Sequence, residues 1–134
     1  MRTIKFRAKN LDGEWVYGFY VEEERQTLNG FEKKHFIVND GYDYVNPATV
    51  GQFTGLYDKN GMRIFEGDIV DAWSAGEHLP NGIIKWGESI AGFFIMPPKC
   101  NAVWHLVGND QNKETLEVVG NIHDNPELLK GNNV

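Results

Sequence analysis

Trp15-Val16-Tyr17-Gly18-Phe19-Tyr20-Val21, then Asn29-Gly30, then Phe31-Glu32-Lys33-Lys34-His35-Phe36-Ile37-Val38, reads as two strands joined by a tight turn. Both runs are rich in β-branched and aromatic residues, which suit a pleated, half-buried surface. Asn-Gly is a strong hairpin signal, because the turns that match strand twist need positive φ, which Asn and Gly reach cheaply. In the first run Trp15, Tyr17, Phe19 and Val21 share one face by period-2 alternation. The charged Glu22-Glu23-Glu24-Arg25 that follows reads as a solvated hairpin end.

Outward from this hairpin the same punctuation repeats at Asp12-Gly13, Asp40-Gly41, Asn60-Gly61 and Asn81-Gly82. Between these turns lie strand-sized runs: Thr3 to Arg7, Thr49 to Gly55, Arg63 to Phe65, Asp68 to Trp73, Ile83 to Trp86 and Gly92 to Met96. In Thr3-Ile4-Lys5-Phe6-Arg7, Ile4 and Phe6 face one way and Thr3, Lys5 and Arg7 the other. Near the C-terminus, Leu116 to Asn121 alternates as a further strand that would close the sheet. Helix signals concentrate at Asn125-Pro126-Glu127, with Asn125 as cap, Pro126 at the first helical position and Glu127 at the positive end of the dipole. Leu128 and Leu129 would dock on the barrel, and Gly131 would end the turn. The expected fold is therefore mainly β: a small β-barrel with at most one short C-terminal helix.

The chain has 134 residues, of which 41% are hydrophobic and 24% charged. A chain of this size buries about 68% of its unfolded surface, enough for an ordinary core without disulfides. Cys100 is the single cysteine and cannot form an internal bridge. The composition fits one compact domain or two small ones sharing a core, with a boundary near Gly55 to Asp58. We place an N-terminal β subdomain at 1–56 and a second subdomain at 57–134. Residues 1–55 carry seven basic and eight acidic side chains, and residues 56–134 six and eleven. The net charge of −6 opposes a protein whose whole surface clamps a phosphate backbone. No apolar run approaches the ~18 residues that cross a bilayer, and the N-terminus is charged rather than signal-like, so a cytoplasmic location without membrane contact is expected.

Catalytic signatures are weak. His35, His78, His105 and His123 stand apart, with no metal-ligand spacing such as H-x₃₋₅-H, so no metal is expected. Cys100, after Pro97-Pro98, reads as a loop thiol. Asp58-Lys59-Asn60-Gly61 lacks the ligand count and the flanking helices of a calcium loop. Gly87-Glu88-Ser89-Ile90-Ala91-Gly92 is not bracketed as G-x-S-x-G, and neither phosphate-binding glycine pattern occurs. No catalytic residue and no cofactor is assigned. The remaining catalytic alternative assembles His105, His123 and Asp68 from distant positions. Asp68 and Asp71 have a simpler reading, as carboxylates accepting backbone N–H bonds at a strand start.

Seventeen aromatic residues, 13% of the chain, include Trp15, Trp73, Trp86 and Trp104. Most are expected to fill a core that strand side chains alone must build. The first ten residues carry Arg2, Lys5, Arg7 and Lys9 and no acid, so single-stranded nucleic-acid binding through exposed aromatics and this basic strand is the alternative function.

Val50-Gly51-Gln52-Phe53-Thr54-Gly55-Leu56-Tyr57-Asp58-Lys59-Asn60-Gly61, continuing Ile64-Phe65-Glu66-Gly67-Asp68-Ile69-Val70, resembles the signature of the YopX family of phage and prophage proteins. Ile4-Lys5-Phe6-Arg7-Ala8 with Trp15, and Val119-Gly120-Asn121-Ile122-His123-Asp124-Asn125-Pro126-Glu127-Leu128-Leu129, resemble the family's two ends. The resemblance implies a mainly β protein with an SH3-like C-terminal half and implies no reaction, cofactor or catalytic residue. The residues themselves allow an architectural role: Asn60-Gly61 turns the chain, Gly67 bends it, and Ile69 and Val70 enter the sheet. Gln52 and Thr54 alternate with Phe53, and if their face is exposed they are candidates for polar contacts. The expected function is that of a non-enzymatic accessory module that binds a macromolecule and self-associates, with Lys5, Arg7, Gln52 and Thr54 as candidate contact residues. Self-association follows from the many sheet edges that small β proteins cover in this way.

Overall fold

The computed structural model describes residues 5–74, 77–89, 91–96, 104–105 and 116–130. Arg2, Thr3, Ile4 and Cys100 lie outside them. The chain divides into two compact units, Met1–Phe53 and Thr54–Val134.

In the first unit, β1 (Phe6–Lys9), β2 (Trp15–Thr27), β3 (Gly30–Val38) and β4 (Tyr42–Tyr44) are antiparallel neighbours, and the start of β5 (Gly51–Tyr57) lies on the other side of β1. The Asn29-Gly30 hairpin forms as expected, with Thr27 paired to Gly30 across Leu28 and Asn29. The strand, however, continues through Glu22 to Arg25. These charges pair across the ladder and along it, Glu22 Oε2 with Lys33 Nζ at 3.7 Å and Glu23 Oε2 with Arg25 Nη2 at 3.3 Å, so a long hairpin arm stays in water. Past β4 the chain returns to β1, where Val45 bridges Asn10. Asn46 N–H donates to Lys9 O at 2.9 Å and Lys9 N–H to Thr49 Oγ1 at 2.8 Å beside that bridge, but no full strand pair closes the sheet there among the described residues.

Register assigns the faces. Gly18 opposes Phe6, Val16 opposes Ala8, and Tyr20 opposes Ile37, which places these side chains together on the inner face. Ala8, Ile37 and Val45 are buried there, with Phe6, Val16, Tyr20 and Val50 packed against them. Gly18 belongs to this face because the backbone crowds it: a Cβ would be driven into the carbonyl of Val38.

The second unit begins within β5, whose later residues lie beside β6 (Arg63–Phe65). β7 (Asp68–Ser74), β8 (Glu77–Gly87), β9 (Gly92–Met96), β10 (Trp104–His105) and β11 (Leu116–Asn121) form an antiparallel sheet in the order β10-β9-β8-β7-β11. Ile64, Val70, Ala72, Ile84, Ile95 and Leu116 make its core, backed by Leu56, Phe93 and Val118. Strand β11 adds to an edge rather than closing the sheet. Among the described residues the expected closed barrel is thus replaced by open antiparallel sheets, although the mainly β class holds.

Asn81-Gly82, expected as a turn, lies inside β8. Its glycine answers a packing need, since a Cβ at Gly82 would meet Ile95 Cγ2 at 2.5 Å. Asn81 Nδ2 donates to the carbonyl of Leu128 at 3.2 Å, fastening the short helix α1 (Glu127–Lys130) to β8. The Asn125 side chain accepts from Asn121 N–H, so it braces the preceding turn rather than the helix start.

Candidate binding surface

The outer face of the first unit's sheet carries Trp15, Tyr17, Phe19 and Val21 on β2, Phe36 and Val38 on β3, and Tyr42 and Tyr44 on β4. Register pairs Phe19 with Val38, Val21 with Phe36, Phe36 with Tyr44 and Val38 with Tyr42. Alternation therefore put the β2 residues on one face correctly, but that face meets solvent. Phe19 is 64% exposed, Tyr42 75%, Tyr17 44%, Tyr44 42% and Val21 38%. Phe36 forms the floor, 3% exposed, with Tyr44 tilted over it at 4.7 Å and Tyr42 edge-on at 6.1 Å between centroids. At about 200 Å² per fully exposed aromatic side chain, the four tyrosine and phenylalanine residues at the surface leave roughly 450 Å² in water. That lies within the range of about 300–600 Å² found for the largest apolar patch of a typical monomer, a patch that is often functional.

Cations border this patch. The Arg25 guanidinium lies 5.4 Å from the Phe36 ring centroid and donates to the Tyr44 hydroxyl at 3.2 Å. At the other end Arg7 and Lys9 sit 4.7 and 5.5 Å from the Trp15 ring centroid. Such contacts hold flat rings and long cations side by side in fixed geometry. Of the residues singled out from the sequence, Lys5 is half-buried and in phase with Arg7, and Arg7 is itself 7% exposed. Gln52 is half-buried opposite Phe6, on the inner side of the sheet. Thr54 is buried, which removes it as a contact residue: its hydroxyl donates to Ile64 O at 2.8 Å and accepts from Leu56 N–H at 3.2 Å. Tyr17, Phe19, Tyr42 and Tyr44 were not singled out individually. An aromatic face looks the same in sequence whether it covers a core or meets water.

The model of the family described as YopX protein matches residues 5–130, nearly the whole chain. The chain belongs to the YopX family. It is also similar to a solved structure, the crystal structure of protein EF1440 from Enterococcus faecalis, at 26% identity with a TM-score of 0.54; the match covers 96% of this chain and 99% of that one. A search of curated proteins gives no match.

Several polar residues of the YopX motifs are turned inward, while Lys59 and Asn60 are exposed. Asp58 is 1% exposed; its Oδ1 accepts from Asn60 and Met62 N–H at 2.8 Å each, and its Oδ2 accepts from Val118 N–H at 2.9 Å. Asp68, also 1% exposed, accepts Phe65 N–H at 2.7 Å. Asn121 Oδ1 accepts from His123 and Asp124 N–H at 3.0 and 2.9 Å. Gly61 and Gly67 have φ of +79° and +91°, which glycine reaches without a Cβ penalty. Of the three groups that the catalytic alternative brings together, Asp68 is thus buried against backbone, and the His105 side chain lies outside the described residues.

Two histidine contacts were not foreseen. His78 Nε2 hydrogen-bonds Asp71 Oδ1, with Trp73 4.8 Å away between ring centroids. On the first unit's inner face, His35 Nδ1 lies 2.7 Å from the Tyr20 hydroxyl, which donates to Glu22 Oε1 at 3.1 Å. Burial, then the Glu22 hydrogen bond and charge, push the Tyr20 phenol up to about 12. A phenol so hard to ionise suits a structural donor, not a nucleophile. Among the described residues, no group of three or more His, Cys, Asp or Glu could hold a metal ion, and no helix is long and apolar enough to cross a membrane.

Proposed function

We propose that this YopX-family chain is a phage or prophage accessory protein, acting in the host cytoplasm by binding a macromolecule rather than by catalysis. The supporting observation is the outer face of the N-terminal sheet, where Tyr17, Phe19, Tyr42 and Tyr44 stand in water beside fixed cations. Rigid aromatics next to arginine are the side chains that dominate binding energetics at protein surfaces. The second unit, whose strands we take as SH3-like in arrangement, supplies a scaffold stiffened by the buried YopX stretch. Affinity capture from phage-infected cells, run in parallel with wild type and Phe19→Ser/Tyr42→Ser, tests this reading. Partners retained by wild type and lost by the variant are expected. Identical captures by both proteins would remove the face from the proposal.

Self-association is the second reading, favoured by β4. This three-residue strand ends the first unit's sheet and offers an edge that another strand can join. Sedimentation at micromolar concentration decides it: a strict monomer rules it out.

A further inference from the structure

We propose that the outer face of the N-terminal sheet binds single-stranded nucleic acid, its bases stacking on Tyr17, Phe19, Tyr42 and Tyr44. The inference rests on the binding reading above and names the ligand. Three observations carry it.

The first is charge sorting between the two faces of one sheet. At positions in phase with the aromatic face lie Lys5, Arg7, Lys9, Arg25 and Lys34, against two carboxylates, Glu23 and Glu32. In phase with the inner face lie Glu22, Glu24 and Asp43, against one lysine, Lys33. The chain as a whole is acidic at −6 and yet gathers its cations on the face that carries the exposed rings. A polyanion would meet a local excess of positive charge there, while the acidic inner face opposes non-specific wrapping.

The second is the identity of the exposed side chains. Aromatic anchors also serve protein interfaces, but rings set apart as separate π-faces beside cations are the arrangement of single-strand binders, each ring taking one base of any sequence. Here four of the five large exposed groups are aromatic, and the fifth is Val21.

The third is spacing. Tyr17 and Phe19, like Tyr42 and Tyr44, are two residues apart on a strand, so their Cα atoms are roughly 6.8 Å apart. That is about twice the 3.4 Å rise of stacked bases along one strand. Successive bases on these rings must therefore leave one another's stack, which single strands do readily and duplexes do not. Arg25, anchored on Phe36 and Tyr44 and paired with Glu23 Oε2 at 3.3 Å, holds a half-exposed guanidinium at the rim of this platform, where a phosphate would compete with Glu23 for it.

The test is fluorescence anisotropy of labelled mixed-sequence oligonucleotides, supplied as single-stranded DNA, single-stranded RNA and duplex. The single strands are expected to bind and the duplex to bind at least tenfold more weakly. With about three phosphates engaged, raising salt from about 50 to about 200 mM should weaken single-strand binding roughly twentyfold. Phe19→Ser and Tyr42→Ser should each lose about tenfold, with thermal midpoints unchanged because both side chains are exposed. Lys34→Ala should weaken binding severalfold while its neighbour Lys33→Ala, on the opposite face, does not. No binding at low salt overturns the inference, as does equal loss in the Lys33 and Lys34 variants. Sedimentation of the same proteins separates the two levels of reading. An oligomer that Phe19→Ser dissociates, without nucleic-acid binding, shows that a second copy occupies the face; this overturns the nucleic-acid inference and leaves the binding reading standing. A monomer that binds no oligonucleotide and captures no partner ends both.

Discussion

Replacing Asp58 with alanine asks how much of the fold hangs on one carboxylate of the YopX stretch. Its two oxygens take three backbone N–H groups: Asn60 and Met62 close the turn between β5 and β6, and Val118 ties that turn to β11. Hydrogen bonds to a charged acceptor contribute about 1.5–3 kcal/mol each when the donor has no other partner. Asn60 and Met62 lie in an exposed turn where water can replace the lost oxygen, so each costs nearer 1 kcal/mol. Val118 is half-buried and its bond counts more fully. The sum is a loss of roughly 4 kcal/mol, a large share of a stability of about 5–15 kcal/mol. Urea unfolding should show it directly, with a drop in thermal midpoint on the order of 10 °C and faster amide exchange at Val118. Asp58→Asn sharpens the measurement. Its amide oxygen can replace Oδ1 while its NH₂ opposes the Val118 N–H, donor against donor, for a loss of about 2 kcal/mol. Asn60→Ala, which removes an exposed 3.3 Å bond to Glu117 Oε1, should stay within about 0.5 kcal/mol. An Asp58→Ala protein within 1 kcal/mol of wild type, or no weaker than Asn60→Ala, would refute the architectural reading.

Other substitutions separate the two faces and the two units. Ile37→Ala, at a fully buried inner-face position, should cost about 2–4 kcal/mol, while Phe19→Ser, one register position away on the opposite face, stays within about 0.5 kcal/mol in denaturant melts. Thr54→Val removes the hydroxyl between Ile64 O and Leu56 N–H and should lower stability by about 1–2 kcal/mol in the same melts. Gly82→Ala forces a methyl against Ile95 Cγ2 and should cost about 1–3 kcal/mol; combined with Ile95→Ala, which removes Cγ2, the double variant should lose less than the sum of the two single ones. The Tyr20 phenol should ionise near 12 in an ultraviolet titration. Because its folded pKa is raised, its contribution is whole below about pH 10 and is lost as pH rises toward 12; Tyr20→Phe should flatten that alkaline decline in stability.

The strand framework was legible because turn chemistry is local. Asn29-Gly30 and Asn60-Gly61 punctuate real turns, and period-2 alternation grouped Trp15, Tyr17, Phe19 and Val21 correctly. What alternation cannot supply is which face finds a partner layer, since that depends on how the sheet curls in space. Here the curl that brings Val45 back to Asn10 encloses Ala8 and Ile37, not the aromatics. Asn81-Gly82 misled for a related reason: glycine serves a turn and a tight crossing equally well, and only Ile95, distant in sequence, distinguishes them. Strand β4 is three residues long, too short for any periodicity to register. Thr54 looked like a surface residue because its neighbour Phe53 is apolar, yet both are buried at that point of β5.

The buried YopX stretch and the exposed aromatic face divide the protein's tasks in a way that polar bookkeeping makes concrete. Asp58, Thr54 and Asn121 have their oxygens committed to backbone partners inside the second unit, so none of them can reach a ligand without releasing the strand it holds. A family stretch of this kind specifies the scaffold. It constrains nothing about what Phe19 or Tyr42 touches, because neither side chain is needed to complete the first unit's core. The physical mark of that division is the contrast between Asp58, whose two oxygens are filled by backbone N–H groups, and Phe19 and Tyr42, whose rings stand in water.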